Sequence, residues 1–202
     1  MAGEPENEQL LIRRARGGSL EAFNELVLAH QDRVYSAAYR IMGEAESAAD
    51  AAQDTFITAY RRLSTYQGGS FRAWLLRIAT NTCYDELRRR KRRPADSLEE
   101  LPGAESDDGA PLPDQAATPE QVAQQQELNR ALEQCIRALQ DDQRIVLVMS
   151  DVEGFSYQDI ADSTGANLGT VKSRLSRARA SVRQCLQAFR ELLPSVYRLD
   201  SE

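Results

Sequence analysis

The stretch EGFSYQDIADSTGANLGTVKSRLSRARASV, residues 153–182, decides the fold. Ser156, Tyr157, Gln158 and Asp159 have the spacing of a capping box, in which a hydroxyl and a carboxylate satisfy the orphan N–H groups of a helix start. The helix it opens carries Ile160 and Ala161 and stops at Gly165, a residue suited to a left-handed helix end. Asn167 then caps a final helix predicted over residues 168–186. Its apolar positions Val171, Leu175, Ala178 and Val182 step by four, three and four, which makes one buried stripe. A short helix, a tight turn and a basic helix with an apolar back form the helix-turn-helix pattern. Thr170, Ser173, Arg174 and Arg177 share the outward face. Arginine forks suit guanine edges, and hydroxyls adapt to several base edges. Lys172, Ser176, Arg179 and Arg183 flank that face and suit phosphates. A solvated basic face on a helical bundle is the alternative for the same residues.

Working outward, residues 121–139 place Val122, Leu128, Ala131, Leu132, Cys135, Ile136 and Leu139 at helical spacing. Residues 141–151 carry Ile145, Val146, Val148 and Met149, and Gly154 ends that helix. A C-terminal helical domain over residues 120–193 follows. Before it, the strip 94–119 holds Pro94, Pro102, Pro111, Pro113 and Pro119, several glycines and few large apolar side chains. Such a strip buries too little to offset its ordering entropy and is expected to be a flexible linker. Its 26 residues average about 30 Å end to end as a coil and at most about 90 Å extended. Domains on either side would then reach DNA sites one to two helical turns apart, a turn being about 34 Å.

The N-terminal segment, residues 8–93, also reads as helix throughout. A short helix over 9–16 stops at Gly17 and Gly18, and Ser19 starts a long one with Phe23, Leu26, Val27, Val34, Ala37, Ala38 and Ile41 on one face. Gly43 breaks it. Residues 48–63 follow, with Ala51, Ala52, Thr55, Phe56, Ala59 and Leu63 as the buried stripe. After a loop over 64–70, a last helix over 71–92 buries Trp74, Leu75, Ile78 and Leu87. The fold class is therefore all-α: two small helical domains joined by a flexible acidic linker, the C-terminal one a helix-turn-helix.

Composition excludes several functions. The chain has 202 residues, 42% apolar and 28% charged. No stretch nears the roughly 20 consecutive apolar residues of a membrane span, and the polar N-terminus lacks a signal-peptide core. Cys83, Cys135 and Cys185 lie far apart with no CxxC pair, so neither a zinc site nor a disulfide framework is expected. They read as core filler, with redox sensing the lesser alternative, in a cytoplasmic, reduced protein. His30 is the one histidine, and no catalytic, metal or cofactor constellation is present. Only nine residues follow Leu193, so no additional C-terminal domain is expected.

The net charge of −6 hides a segregation. Residues 8–93 carry 15 basic and 10 acidic side chains, 94–120 carry no basic and 8 acidic ones, and 121–195 carry 9 of each. Two basic patches flanking an acidic strip point to a polyanion partner. Arg88, Arg89, Arg90, Lys91, Arg92 and Arg93 form the first patch. Asn81, Arg77 and Trp74 lie upstream of it on the same predicted helix, behind the loop residues Tyr66, Gln67 and Ser70. An aromatic, an amide and arginines beside a basic run suit single-stranded nucleic acid, where bases stack and arginine neutralises the backbone. The alternatives are a solvated helix end favoured by the dipole and a Trp74 that is simply core. Asp50, Gln53 and Asp54, at i, i+3 and i+4, form a polar stripe that is either solvated or a protein-docking surface.

Together these segments resemble the extracytoplasmic-function (group IV) sigma factors of bacterial RNA polymerase, the sigma-E-like type. DAAQDTFITAYRRL, residues 50–63, resembles their polymerase-binding helix. FRAWLLRIATNTCYDELRRRKRR, residues 71–93, resembles their −10 recognition and strand-opening helix, and the opening stretch resembles their −35-binding helix-turn-helix. The resemblance implies a role for each matching position. Asp50, Gln53 and Asp54 would dock on the polymerase clamp coiled coil. The loop with Tyr66, Gln67 and Ser70 would capture a base flipped from the −10 element, and Asn81 with Arg77 would lie near the upstream edge of the melted region; Trp74, Arg88 and Arg89, suited to single strands by their chemistry, would join that −10 surface. Lys172, Ser173, Arg174, Ser176 and Arg177 would read the −35 element, joined by Thr170 and Arg179 from the outward face and its flank. Opening a duplex costs about 1.4 kcal/mol per base step, and extruding a base a few kcal/mol more. Trapping the base offsets that cost through binding alone, so neither enzyme nor cofactor is implied.

The implied partners are core polymerase, promoter DNA as duplex and melted non-template strand, and an anti-sigma factor that wedges between the domains, with no membrane insertion. Some positions depart from the pattern: Ser150 stands where a basic residue is usual, Ser176 is small, and the 66–71 loop is compact. The acidic strip is further expected to cover the basic patches in the free protein. The competing reading is a stand-alone DNA-binding regulator that uses only the helix-turn-helix. It leaves the stripe in residues 50–63 without a purpose. An RNA-processing enzyme is disfavoured by the missing metal or nucleophile constellation.

Overall fold

A computed structural model describes residues 5–92 and 119–193. Among them every regular element is helical. The chain divides into two compact units, Met1–Gly103 and Ala104–Glu202. Apart from Pro119, the expected linker over 94–119 lies outside the described residues, as do Arg93 and the proposed covering of basic patches by the acidic strip.

The first unit holds α1 (Pro5–Arg16), α2 (Leu20–Met42), α3 (Ala45–Arg62) and α4 (Phe71–Arg92). Ser19 caps α2 through its hydroxyl, which accepts the Ala22 N–H at 3.3 Å. Gly43, at φ 79°, closes α2 in the left-handed region where a side chain would be strained. Leu11 and Ile12 of α1, Phe23, Leu26 and Val34 of α2, Ala52 and Ala59 of α3, and Phe71, Leu75 and Ile78 of α4 share one core. The alanines of α3 let it pack closely against both α2 and α4. Two buried hydroxyls are satisfied within their own helices: Thr55 donates to Ala51 O at 2.6 Å and Thr80 to Leu76 O at 2.7 Å.

The second unit holds α5 (Pro119–Arg137), α6 (Asp141–Leu147), α7 (Tyr157–Thr164) and α8 (Leu168–Leu186). The capping box at Ser156 and Asp159 is formed, Gly165 ends α7 at φ 65°, and the Asn167 side chain accepts the Thr170 N–H. Val171, Leu175, Ala178 and Val182 are buried on α8, as their spacing predicts. Residues 141–151 are not one α-helix: the chain widens into a π turn over Val148–Val152, where Glu153 N–H reaches Val148 O at 3.0 Å. A further 3-10 stretch, Gln187–Leu192, follows α8.

The cysteine expectation fails for two of the three. Cys135 of α5 and Cys185 of α8 form a disulfide, with their Cα atoms 5.7 Å apart. They are 50 residues apart in sequence, and only the packing of α5 on α8 brings them together. Cys83 is core filler, its buried thiol pushed up to about 12 by desolvation.

Candidate nucleic-acid interface

The basic face of α8 begins at a capped helix start, so its first turns are firmly set. Lys172, Ser176 and Arg177 are exposed, while Thr170 and Ser173 are half-buried. Ser173 donates to Thr170 O at 3.0 Å, which leaves its oxygen able to accept. Two arginines of the predicted set are engaged inside the unit. Arg174 donates to Asp142 of α6 at 2.8 Å. Arg179 makes a fork on Asp151 in the π turn, Nε and one terminal nitrogen at 2.8 and 2.7 Å. Arg179 holds the Asp151 carboxyl below the usual carboxylate range, and the Asp151 hydrogen bonds raise Arg179 in turn. Lys172 and Arg177 make no ion pair with another described residue, so the unengaged charge of this face is narrower than the sequence suggests.

In the first unit, Gln67 and Ser70 are exposed at the loop tip, and Ser70 Oγ accepts the Ala73 N–H at 3.2 Å. Tyr66 is placed differently from an open stacking platform. It is 6% exposed and its hydroxyl donates to Gly69 O at 2.7 Å, because the loop closes over its ring. Its ring lies 5.5 Å from Phe71 and 5.4 Å from Trp74, and Trp74 is half-buried against the core. Along α4, Arg77 is exposed, and Asn81 is half-buried with a buried Oδ1 that meets no hydrogen-bond donor. Arg88 is exposed and lies over the Tyr84 ring at 5.6 Å. Arg89 pairs with Glu86. Arg90, also in the basic run, bonds Glu86, Glu44 and Ser47 and so ties α4 to the start of α3. Ser47 and Arg90 together keep the Glu44 carboxyl below its ordinary value.

Asp50, Gln53 and Asp54 are all exposed on α3. Beside them lies an apolar groove of about 530 Å³ lined by Leu20, Phe23, Val27, Phe56, Ile57 and Tyr60, with Gln53 on its edge. Sequence reasoning found the stripe and missed the groove, because Leu20 and Ile57 looked like ordinary helix residues. It also missed the acids that engage the arginines. Glu86 was detectable, standing three and four residues before Arg89 and Arg90. Asp142 and Asp151, 32 and 28 residues from their partners, left no local signal.

Comparison with known proteins places these surfaces in a family context. Residues 26–93 match the model of Sigma-70 region 2, and residues 129–182 match that of Sigma-70 region 4. The chain is 38% identical over 183 residues to the RNA polymerase sigma-H factor of Pseudomonas aeruginosa, covering 90% of this chain and 95% of that one. It is 36% identical to the ECF RNA polymerase sigma factor SigE of Mycolicibacterium smegmatis, covering 83% of this chain and 63% of the relative. A similar solved structure is the sigma factor RpoE of Bartonella quintana in complex with the anti-sigma factor NepR. It matches with a TM-score of 0.58 and 25% identity, over 83% of this chain and 98% of the other.

Proposed function

The chain belongs to the extracytoplasmic-function sigma factors of RNA polymerase, and on that premise we propose how its surfaces divide the work of transcription initiation. It is an initiation factor rather than an enzyme. Asp50, Gln53 and Asp54 dock on core polymerase. Gln67 and Ser70 at the loop tip, with Trp74, Arg77, Asn81, Arg88 and Arg89 behind them, hold the melted non-template strand of the −10 element. Tyr66 shapes the loop from inside. Thr170, Lys172, Ser173, Ser176 and Arg177 engage the −35 duplex, and Arg174 and Arg179 hold α8 to its own unit while adding field. Binding energy from the trapped base offsets unpairing, which costs about 1.4 kcal/mol per step.

The observation that carries this reading is the exposed Asp50–Gln53–Asp54 stripe on the same unit as the loop and the basic end of α4. A duplex-binding regulator has no use for it. Reversing its charge tests it: Asp54→Arg abolishes core binding and leaves the helical content and thermal midpoint intact. Undiminished core affinity overturns the assignment.

An anti-sigma protein is a further partner in this reading, supported by the Bartonella quintana neighbour, which was solved with one. No helix among the described residues is long and apolar enough to cross a membrane, and we place the protein with polymerase in the cytoplasm.

A further inference from the structure

We propose that Glu8 and His30 are positioning residues for the loop over residues 66–70, bracing from behind the aromatic wall on which it is built. This rests on reading that loop as the element that captures a −10 base.

The brace runs through consecutive contacts. Tyr66 closes the loop on itself through Gly69 O, and its ring packs on Phe71 and Trp74. Phe71 is 1% exposed, so it cannot move without disturbing both Tyr66 and the start of α4. The His30 ring of α2 lies 5.5 Å from that of Phe71. The His30 side chain is 12% exposed, and its Nε2 is 2.9 Å from Glu8 Oε1 on α1. Glu8 lies close enough that its charge, after burial, helps to push the Tyr66 hydroxyl up. A second tie comes from the same helix: Arg16 donates to Ser64 O at 3.4 Å, at the root of the loop. α1 is thus fastened both behind the loop and at its entrance, although it lies before residue 26, where the region 2 match begins.

Gly68 and Gly69 sit at φ 97° and 89°, a backbone path open to glycine that side chains rarely take, and neither has a side chain to anchor the loop. A capture site must be formed before the base arrives if trapping is to offset unpairing. The groups facing the imidazole are the Glu8 carboxylate from α1 and the Phe71 ring from α4, with the Tyr66 hydroxyl beyond them.

The test uses the full chain bound to core polymerase and a randomised single-stranded DNA pool as probe. Glu8→Gln and His30→Gln are each expected to bind the pool roughly threefold to tenfold more weakly than wild type. The double variant binds no more weakly than either single one, because both remove the same contact. Core affinity, −35 duplex affinity and helical content stay unchanged in all three. Gln67→Ala/Ser70→Ala is the companion variant, and it also loses single-strand affinity. Affinities of both brace variants that coincide with wild type, or losses that add in the double variant, while the companion still loses affinity, overturn the brace alone. A companion variant that binds like wild type overturns the reading of the loop, and the brace with it.

Discussion

Arg177 and Arg179 stand two residues apart on α8, yet their surroundings give them different work. Arg179 is occupied by Asp151, whereas Arg177 is exposed and makes no ion pair with another described residue. Arg177→Ala should therefore cost about 1–3 kcal/mol of discrimination at one −35 base pair. Lys172→Ala should weaken binding evenly across sequences and reduce the salt slope by about one. A base-substitution scan at several salt concentrations separates the two outcomes. The Asp151 pair has a pH signature of its own. Its carboxyl is depressed in the folded chain, so its stabilisation is present above the unfolded value, about 3.9, and is lost as pH falls through the folded one. Both partners are partly exposed, so Asp151→Asn should cost only about 0.5–1 kcal/mol at pH 7. Denaturation curves of variant and wild type should converge in acid. At this scale the outward face of α8 was legible from periodicity, whereas the acids that engage it were not.

Helix ends were the most legible elements, because Ser19, Ser156 and Asn167 announce their helices through capping chemistry that is local in sequence. Contacts made across the second unit were illegible. Arg144, 7% exposed, donates to the carbonyls of Arg137 and Leu139 at 3.1 and 3.0 Å and pairs with Asp141 at 2.8 Å. It satisfies orphan acceptors where α5 ends and α6 begins. Arg144→Met keeps the bulk and removes the donors, and a loss of about 2–4 kcal/mol in denaturant unfolding is expected. The disulfide ties the same unit together by joining α5 to α8. It closes a loop of 50 residues, which in the chain-entropy account is worth about 4 kcal/mol. Reduction should lower the thermal midpoint of this unit by at least about 8 °C and leave the first unit's unchanged. Cys135→Ser should reproduce the shift without reductant.

Across the whole molecule, function was more legible than geometry. Three short motifs in one order, with basic patches on both sides of an acidic strip, carried the family resemblance, and the matches over residues 26–93 and 129–182 bear it out. Each unit builds its own core, so each motif could be read within its own helices. The brace behind the loop and the engaged arginines depend on which helices meet, and that is settled by packing rather than by local pattern. The most direct measurement is transcription in vitro with the purified chain, bacterial core polymerase and a randomised promoter library. The account predicts transcripts whose templates share two short boxes at a fixed spacing, lost with Asp54→Arg. Absent initiation, together with sequence-specific duplex binding by the chain alone, would contradict it.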